Sequence, residues 1–326
     1  MTRILVGDVD AHKSVLSLFE GPRERLVSAK AQTYENGHFS GLVSMVGDFM
    51  HGARVDSAGF AVTASVHGGV SVRADLPWGV SEADLRPILG TERCVVLNDV
   101  QAAALGVAES DRARWVWLQE APLDPRAPMA VVSVGVSYGR ALLVPPNHSF
   151  ASEAGLSGFA PRNAIERRLL AYLAENVEEV SLAHVLSAQG LRRIHDFLVL
   201  EGLAPATALA EIERAPDPNA ELARLGMRDL DRACAAAVAS FADILGAQLS
   251  DVALSCLPRG GLFLIGSLAR QLRGVFEQGE LLDAFLDRRV LRQLLESIPL
   301  VLIDDAGLPT LGALRAALEQ LSAAPA

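Results

Sequence analysis

The stretch Cys94–Val107, CVVLNDVQAAALGV, constrains this chain more than any other. Cys94, Val95, Val96 and Leu97 have strand-forming character and run directly into Asn98 and Asp99. Beyond that pair, alanine-rich sequence with apolar residues at helical spacing takes over. A buried strand that ends in two polar side chains and turns into a helix belongs to an open α/β sheet, where the carboxyl ends of strands open onto the ligand crevice. Two readings of the pair stay open on these residues alone. Either Asp99 meets a substrate, or it caps the helix that follows, as Asp does well.

A chain of 326 residues, half of it hydrophobic, has material for two domains with cores of their own. The formal net charge of -10 and the absence of a basic run argue against nucleic acid or an anionic membrane as partner, since both need clustered Lys and Arg. The start, MTRILVGDVD, soon reaches acidic residues and lacks the apolar core of a signal peptide. No uninterrupted apolar stretch reaches the roughly 18 residues of a membrane span, so the expected location is the cytoplasm. Cys94, Cys234 and Cys256 are too scattered for a disulfide framework or a thiolate metal site and read as buried free thiols.

Arg3–Glu20 reads as a hairpin of two apolar strands, with Asp8 at its first bend. Met129–Val144 repeats the design around Gly135 and Gly139. Each hairpin opens a segment that later alternates strands and helices, which suggests a duplicated α/β domain with a cleft between the copies. Between the hairpins, Phe39–Met50 is helical, Asp56–Ser65 is a strand, and Ser81–Leu89 is a helix started by Ser81. Asp111–Pro128 reads as the domain crossing and Pro145–Pro161 as loop. Ala164–Asn176, Ser181–Ser187 and Leu191–Leu200 are helical, and Leu203–Ala220 connects helices. Glu221–Leu254 reads as one or two buried helices, Gly260–Ile265 and Pro299–Ile303 as strands, and Leu268–Phe276, Leu281–Ser297 and Thr310–Leu321 as helices.

In that order the chain resembles the bacterial hexokinase-type glucokinases of the actin-like ATPase and sugar-kinase superfamily. The resemblance covers nearly the whole length. It is carried by LVGDV at Leu5–Val9, LND at Leu97–Asp99, SEAGLSGFAP at Ser152–Pro161, VLSAQGL at Val185–Leu191, GGLFLIGS at Gly260–Ser267 and DDAGLPTLGAL at Asp304–Leu314. It implies an α/β chain with the two-lobed actin-like fold, residues 1–110 plus 305–326 forming the small domain and 111–304 the large one. It implies phosphoryl transfer from ATP, with Mg2+, to a hexose or sugar-like hydroxyl, and a homodimer. By the same resemblance Asp99 is the base, Asn98 and Glu153 hold sugar hydroxyls, and Asp8 organises Mg2+ indirectly. Gly135, Ser137 and Gly266 match nucleotide-side positions, and Lys13 stands where it can offset an anion.

The departures fall on phosphate and sugar contacts. After Gly-Asp-Val the family expects Gly-Gly-Thr-Asn, whose glycines let backbone amides approach phosphate. This chain has Asp10-Ala11-His12-Lys13. Asp10 places a carboxylate where an anion should sit, and like charges about 4 Å apart cost about 1 kcal/mol in water and about 4 at an effective dielectric near 20. The family's Gly-Thr-Gly turn has become Gly135-Val136-Ser137, and its adenosine-side Gly-Gly has become Gly266-Ser267. On the sugar side Leu156 replaces a histidine and Ala183 a glutamate, with His184 beside it reading as a helix residue. Two lost hydroxyl partners at about 1–3 kcal/mol each weaken glucose binding on the order of 30-fold to 10^4-fold. Two expectations follow: a kinase with altered acceptor or impaired rate, or a pseudokinase that keeps the fold as a ligand-binding or regulatory protein without cofactor. A regulator of the related kinase-plus-helix-turn-helix class is disfavoured, because the hairpin begins at Arg3.

Overall fold

The first hairpin is present, and a sheet grows on both sides of it. In the computed structural model, which describes residues 1–74, 76–145 and 148–322, the chain forms two compact units. One contains 1–112, 149–151 and the chain from Asp305; the other contains 113–148 and 152–304. In the first unit β1 (Thr2–Val9) pairs antiparallel with β2 (Lys13–Gly21), which pairs with β3 (Val27–Glu35). On the other side β4 (Ser57–Val62) runs parallel to β1. A separate ribbon is made by β5 (Ala64–His67) and β6 (Val70–Ala74), and β7 (Cys94–Asn98) runs parallel to β4.

Both faces of this sheet are covered, so its strands are apolar on alternate sides. Ile4 and Val6 pack with Ala102, Ala313 and Ala317, while Leu5 and Val9 pack with Met45, Phe49, Leu85 and Leu89. The alanine-rich sequence after Asp99 has a steric reason. Helices Asp99–Val107 and Leu308–Gln320 touch backbone to backbone, and a Cβ on Gly312 would lie 1.6 Å from the Ala102 carbonyl oxygen.

Because β1, β4 and β7 are parallel and aligned, their carboxyl ends form a row. Val9 stands beside Val62, and Val62 beside Asn98. The next residue along each strand is therefore Asp10, Thr63 and Asp99. Most positions further back are apolar, so this row is where polar side chains can collect. Asp8 lies inside β1, opposite Val15, rather than at the bend expected for it; the turn itself is residues 10–12.

The second unit repeats the plan. Its strands are β8 (Trp115–Gln119), β9 (Met129–Val134), β10 (Tyr138–Val144), β12 (Gly261–Ile265) and β13 (Leu300–Ile303), in the order β10-β9-β12-β13-β8, while the short strand β11 (His148–Ser152) is divided between the two units. The β9–β10 pair is an antiparallel hairpin, with β12 parallel to β9 and β13 parallel to β12. Hairpin and parallel strands thus occupy the same places in both sheets, which is the duplicated α/β architecture of the actin-like sugar kinases.

Helix Arg232–Cys256 is long and apolar enough to cross a membrane by composition, yet Ala237, Phe241, Leu245 and Leu249 are fully buried in the unit's core. Glu221–Leu254, expected as one or two buried helices, is the end of helix Pro218–Met227 followed by helix Arg232–Cys256, both packed in this core.

Several expectations need correction. The crossing at Asp111–Pro128 contains β8, an edge strand antiparallel to β13. The loop at Pro145–Pro161 contains β11 and a short 3-10 turn, Ala154–Leu156; its residues 146 and 147 lie outside the described residues. Leu281–Ser297 is two short helices, Glu280–Leu286 and Arg292–Glu296, and Leu203–Ala220 contains a helix at Leu209–Arg214. Asp56–Ser65 divides at Thr63 into β4 and β5. All three cysteines are free, with Cys94 and Cys234 buried and Cys256 half-buried.

Candidate active site

The helix after β7 begins at Asp99, and its cap is Asn98. The Asn98 Oδ1 accepts from the backbone N–H groups of Val100 (3.0 Å) and Gln101 (3.2 Å), and its Nδ2 donates to the Ala64 carbonyl (3.1 Å). Capping therefore falls to Asn98, which leaves the Asp99 carboxylate to other work. Asp99 Oδ1 accepts from its neighbour's amide, Val100 N, at 2.8 Å, and Oδ2 accepts from the Thr63 hydroxyl at 3.2 Å. Burial pushes the Asp99 carboxyl up to about 6; the bonds from Val100 and Thr63 oppose the rise, and the charge of Asp10 adds to it.

Asp8 is pushed further, to about 7, first by burial and then by the charges of Asp99 and Asp10, with a hydrogen bond from the Thr310 side chain opposing. Asp8, Asp10 and Asp99 thus form one set of mutually repelling carboxylates at the end of the first sheet. Thr63 and Thr310, which hydrogen-bond to Asp99 and Asp8, join this set without a sequence signal. Threonine after a strand or in a helix's first turn carries no pattern of its own, although Thr310 lay inside a motif that was already singled out.

The turn between β1 and β2 is built around Asp10. Its N–H donates to the Lys13 carbonyl (2.9 Å), and its own Oδ1 accepts the Ala11 N–H (2.7 Å). Buried Asn36 holds the turn from below, donating from Nδ2 to the Asp10 carbonyl (2.6 Å) while its Oδ1 accepts from the Ser14 hydroxyl (2.7 Å). Lys13 Nζ lies 3.2 Å from Glu35 on β3.

In the second unit, Gly135 N–H donates to the Ser137 carbonyl at 3.0 Å, and Val136 at the tip is 85% exposed. A Cβ on Gly135 would come 3.0 Å from Ser267 Oγ, so the hairpin rests on the start of the Gly266-Ser267 corner. Gly266 has φ 107, and a Cβ there would lie 2.2 Å from the Val134 carbonyl oxygen, so the position admits only glycine. Gly135 and Gly266 are therefore brought together. Glu153 is exposed just before the Ala154–Leu156 turn. His184 accepts the Ser181 N–H at Nδ1 (3.0 Å) and closes a capping box, a structural task.

The glucokinase family model matches residues 5–320. The chain belongs to the glucokinase family. The glucokinase of Nostoc is 29% identical, the alignment covering 96% of this chain and 98% of that protein. Two solved structures share the fold. The glucokinase of an Antarctic psychrotroph superposes with a TM-score of 0.81 at 22% identity, covering 98% of this chain and 99% of that one. That of Balamuthia mandrillaris, solved in complex with glucose, gives 0.80 at 17% identity, with 97% and 93% covered. The chain is a glucokinase-like sugar kinase by family.

Within this glucokinase-family site, the Mg2+ and the triphosphate that the resemblance implies fare differently. Mg2+ takes oxygen ligands and binds through one or two carboxylates plus water. Asp8 and Asp99, both raised first by burial, with Asp99 also repelling Asp8, are carboxylates whose charge such a cation would relieve. The first hairpin turn offers a phosphate few free amides. Those of Asp10 and Ala11 already donate inside the turn, Ala11 to the Asp10 carboxylate.

Proposed function

We propose that this glucokinase-family chain binds a sugar or a less polar sugar-like alcohol at the carboxyl end of its first sheet, and that Asp99 accepts the proton of the hydroxyl to be phosphorylated. The observation that carries the reading is the state of Asp99. Its carboxylate is fixed by Thr63 and the Val100 amide, and it is pushed up to about 6. A base with a pKa just below working pH is ionised yet retains driving force for taking a proton. Asn98, whose oxygen is engaged by its own helix, orients Asp99 and offers its remaining amide hydrogen to a hydroxyl. Glu153 is assigned to a further hydroxyl, and Leu156 and Ala183 favour an acceptor with fewer hydroxyls than glucose. Asp8 would hold Mg2+ through water, and Gly135, Ser137 and Gly266 belong to the nucleotide side. Mg2+ would supply charge neutralisation at the transferring group.

Isothermal titration with Mg-ATP and a coupled assay over a panel of sugars and cyclitols test the reading. Turnover that depends on Asp99 is expected with at least one acceptor. Absence of both nucleotide binding and turnover across the panel would remove it. The Ala11 N–H to Asp10 Oδ1 bond favours a second reading, a non-catalytic ligand-binding protein of the same fold. Restoring the family turn with Asp10→Gly, Ala11→Gly and His12→Thr separates the two: activity that appears only in this variant supports the second reading. We carry the family's homodimer and cytoplasmic location with the first reading, and light scattering on the purified protein tests the dimer.

A further inference from the structure

A second polar cluster lies in the core of the second unit. His195, on helix Ala188–Leu200, and Cys234, in the first turn of helix Arg232–Cys256, are both fully buried. Asp231, the N-cap of the latter helix, is 2% exposed. One donor atom from each lies within 4.8 Å of the other two.

The imidazole is what makes the cluster more than a cap. His195 Nδ1 lies 2.9 Å from Asp196 Oδ1. Asp196 also accepts from Arg192 Nε at 2.9 and 3.0 Å. A carboxylate paired with a guanidinium accepts, which assigns a hydrogen to His195 Nδ1. Nε2 is buried and has no hydrogen-bond partner among the described residues. A histidine that donates one ring N–H to a carboxylate and leaves the other nitrogen free is the arrangement seen at metal-ligating histidines.

Asp231 is prepared in the same sense. Its Oδ1 accepts from Cys234 N (3.0 Å), and its Oδ2 accepts from Thr207 N (2.6 Å), Thr207 Oγ1 (2.9 Å) and Ala208 N (3.0 Å). The Cys234 side chain is hydrogen-bonded to that carboxylate.

We propose that His195 Nε2, Asp231 and Cys234 Sγ form a buried structural site for a divalent cation, with Zn2+ as the ion that this nitrogen, oxygen and sulfur set fits. Zinc takes these donors at about 2.0–2.3 Å in tetrahedral geometry, which places ligand atoms about 3.5 Å apart. Binding forms the Zn–S bond and breaks the S–H bond, the proton leaving to solvent. The Asp231 lone pair that had accepted the thiol hydrogen is freed for the metal. One thiolate and one carboxylate cancel the charge of the ion, so the filled site is neutral, as a dry interior requires. Asp196 is a positioning residue that acts through His195. The ion would tie helix Ala188–Leu200 to the start of Arg232–Cys256, a role separate from catalysis.

The full-length protein, stripped with a chelator, is titrated with Co2+ and then Zn2+. Expected are one cobalt per chain, a thiolate-to-cobalt charge-transfer absorption that Zn2+ abolishes, one proton released per ion, and a rise in Tm with Zn2+. Cys234→Ser and His195→Gln lose the absorption and the Tm rise, whereas Asp196→Asn weakens Zn2+ binding by about 10–100-fold with unchanged stoichiometry. Bound cobalt without the thiolate band, an unchanged spectrum in Cys234→Ser, or no metal uptake would each overturn the site. Should a variant fail to fold, the wild-type cobalt spectrum decides alone.

Discussion

Asp99 in the first unit and Asp231 in the second are both carboxylates at the start of a helix, and they are driven in opposite directions. Asp231 accepts four hydrogen bonds, from Cys234 N, Thr207 N, Thr207 Oγ1 and Ala208 N, and is held well below the ordinary value. Asp99 accepts from Val100 and Thr63, but burial and the charge of Asp10 outweigh these, so it rises to about 6. Helix position is therefore a poor guide to what an aspartate does. The supply of donors against the supply of like charge separates a carboxylate fixed within the fold from one poised to take a proton.

Replacing each aspartate should break different things. Asp99→Asn keeps size and the Thr63 contact but removes the base, so turnover should fall by about 10^2–10^4-fold, read in the coupled assay, with unfolding midpoint little changed. Asp231→Ala leaves buried amide donors without an acceptor and removes a helix cap. Urea unfolding should report a loss on the order of 3 kcal/mol, and any activity should fall only in proportion to the folded fraction. If Asp231→Ala proved neutral in stability, the contrast between the two would fail.

The pH dependence of stability sharpens the same contrast. Asp8 and Asp99 have raised folded values, so their contribution is fully present below the ordinary 3.8 and is lost as pH rises through about 6 for Asp99 and about 7 for Asp8. Asp231, with its value depressed, contributes above 3.8 and loses that contribution as acid protonates it. Unfolding measured across pH in wild type and Asp10→Asn should show the loss between pH 4 and 7 reduced in the variant, since Asp10 raises both Asp8 and Asp99. The smallest effect is expected for Thr63→Val. One donor to Asp99 is removed, at about 1 kcal/mol, and the acid limb of any rate profile moves to higher pH.

Which parts of the molecule could be read from its residues follows from what leaves a pattern. β1, β2, β9, β10, β12 and β13 are apolar runs because their sheets are covered, and the Asn98-Asp99 pair stood out because it ends such a run. β11 has only exposed and half-buried side chains and so no apolar period, and β8, though apolar, is a short edge strand running into a proline-rich stretch. Asn98 and Asp99 are both good capping residues, so which one caps was settled by geometry. His195 and Cys234, far apart in the chain, meet only through helix packing. That is why a scattered cysteine gave no hint of a metal site.

The most direct test of the account is a carbon-13 titration of the aspartate carboxyls, assigned by Asp8→Asn and Asp99→Asn. The account predicts that Asp99 titrates near pH 6 and Asp8 near pH 7, and that both move down when Asp10 becomes Asn. Values for both in the ordinary range near 3.8, unmoved by Asp10→Asn, would contradict the reading of the first sheet's carboxyl end as a crowded acidic site poised to accept a proton.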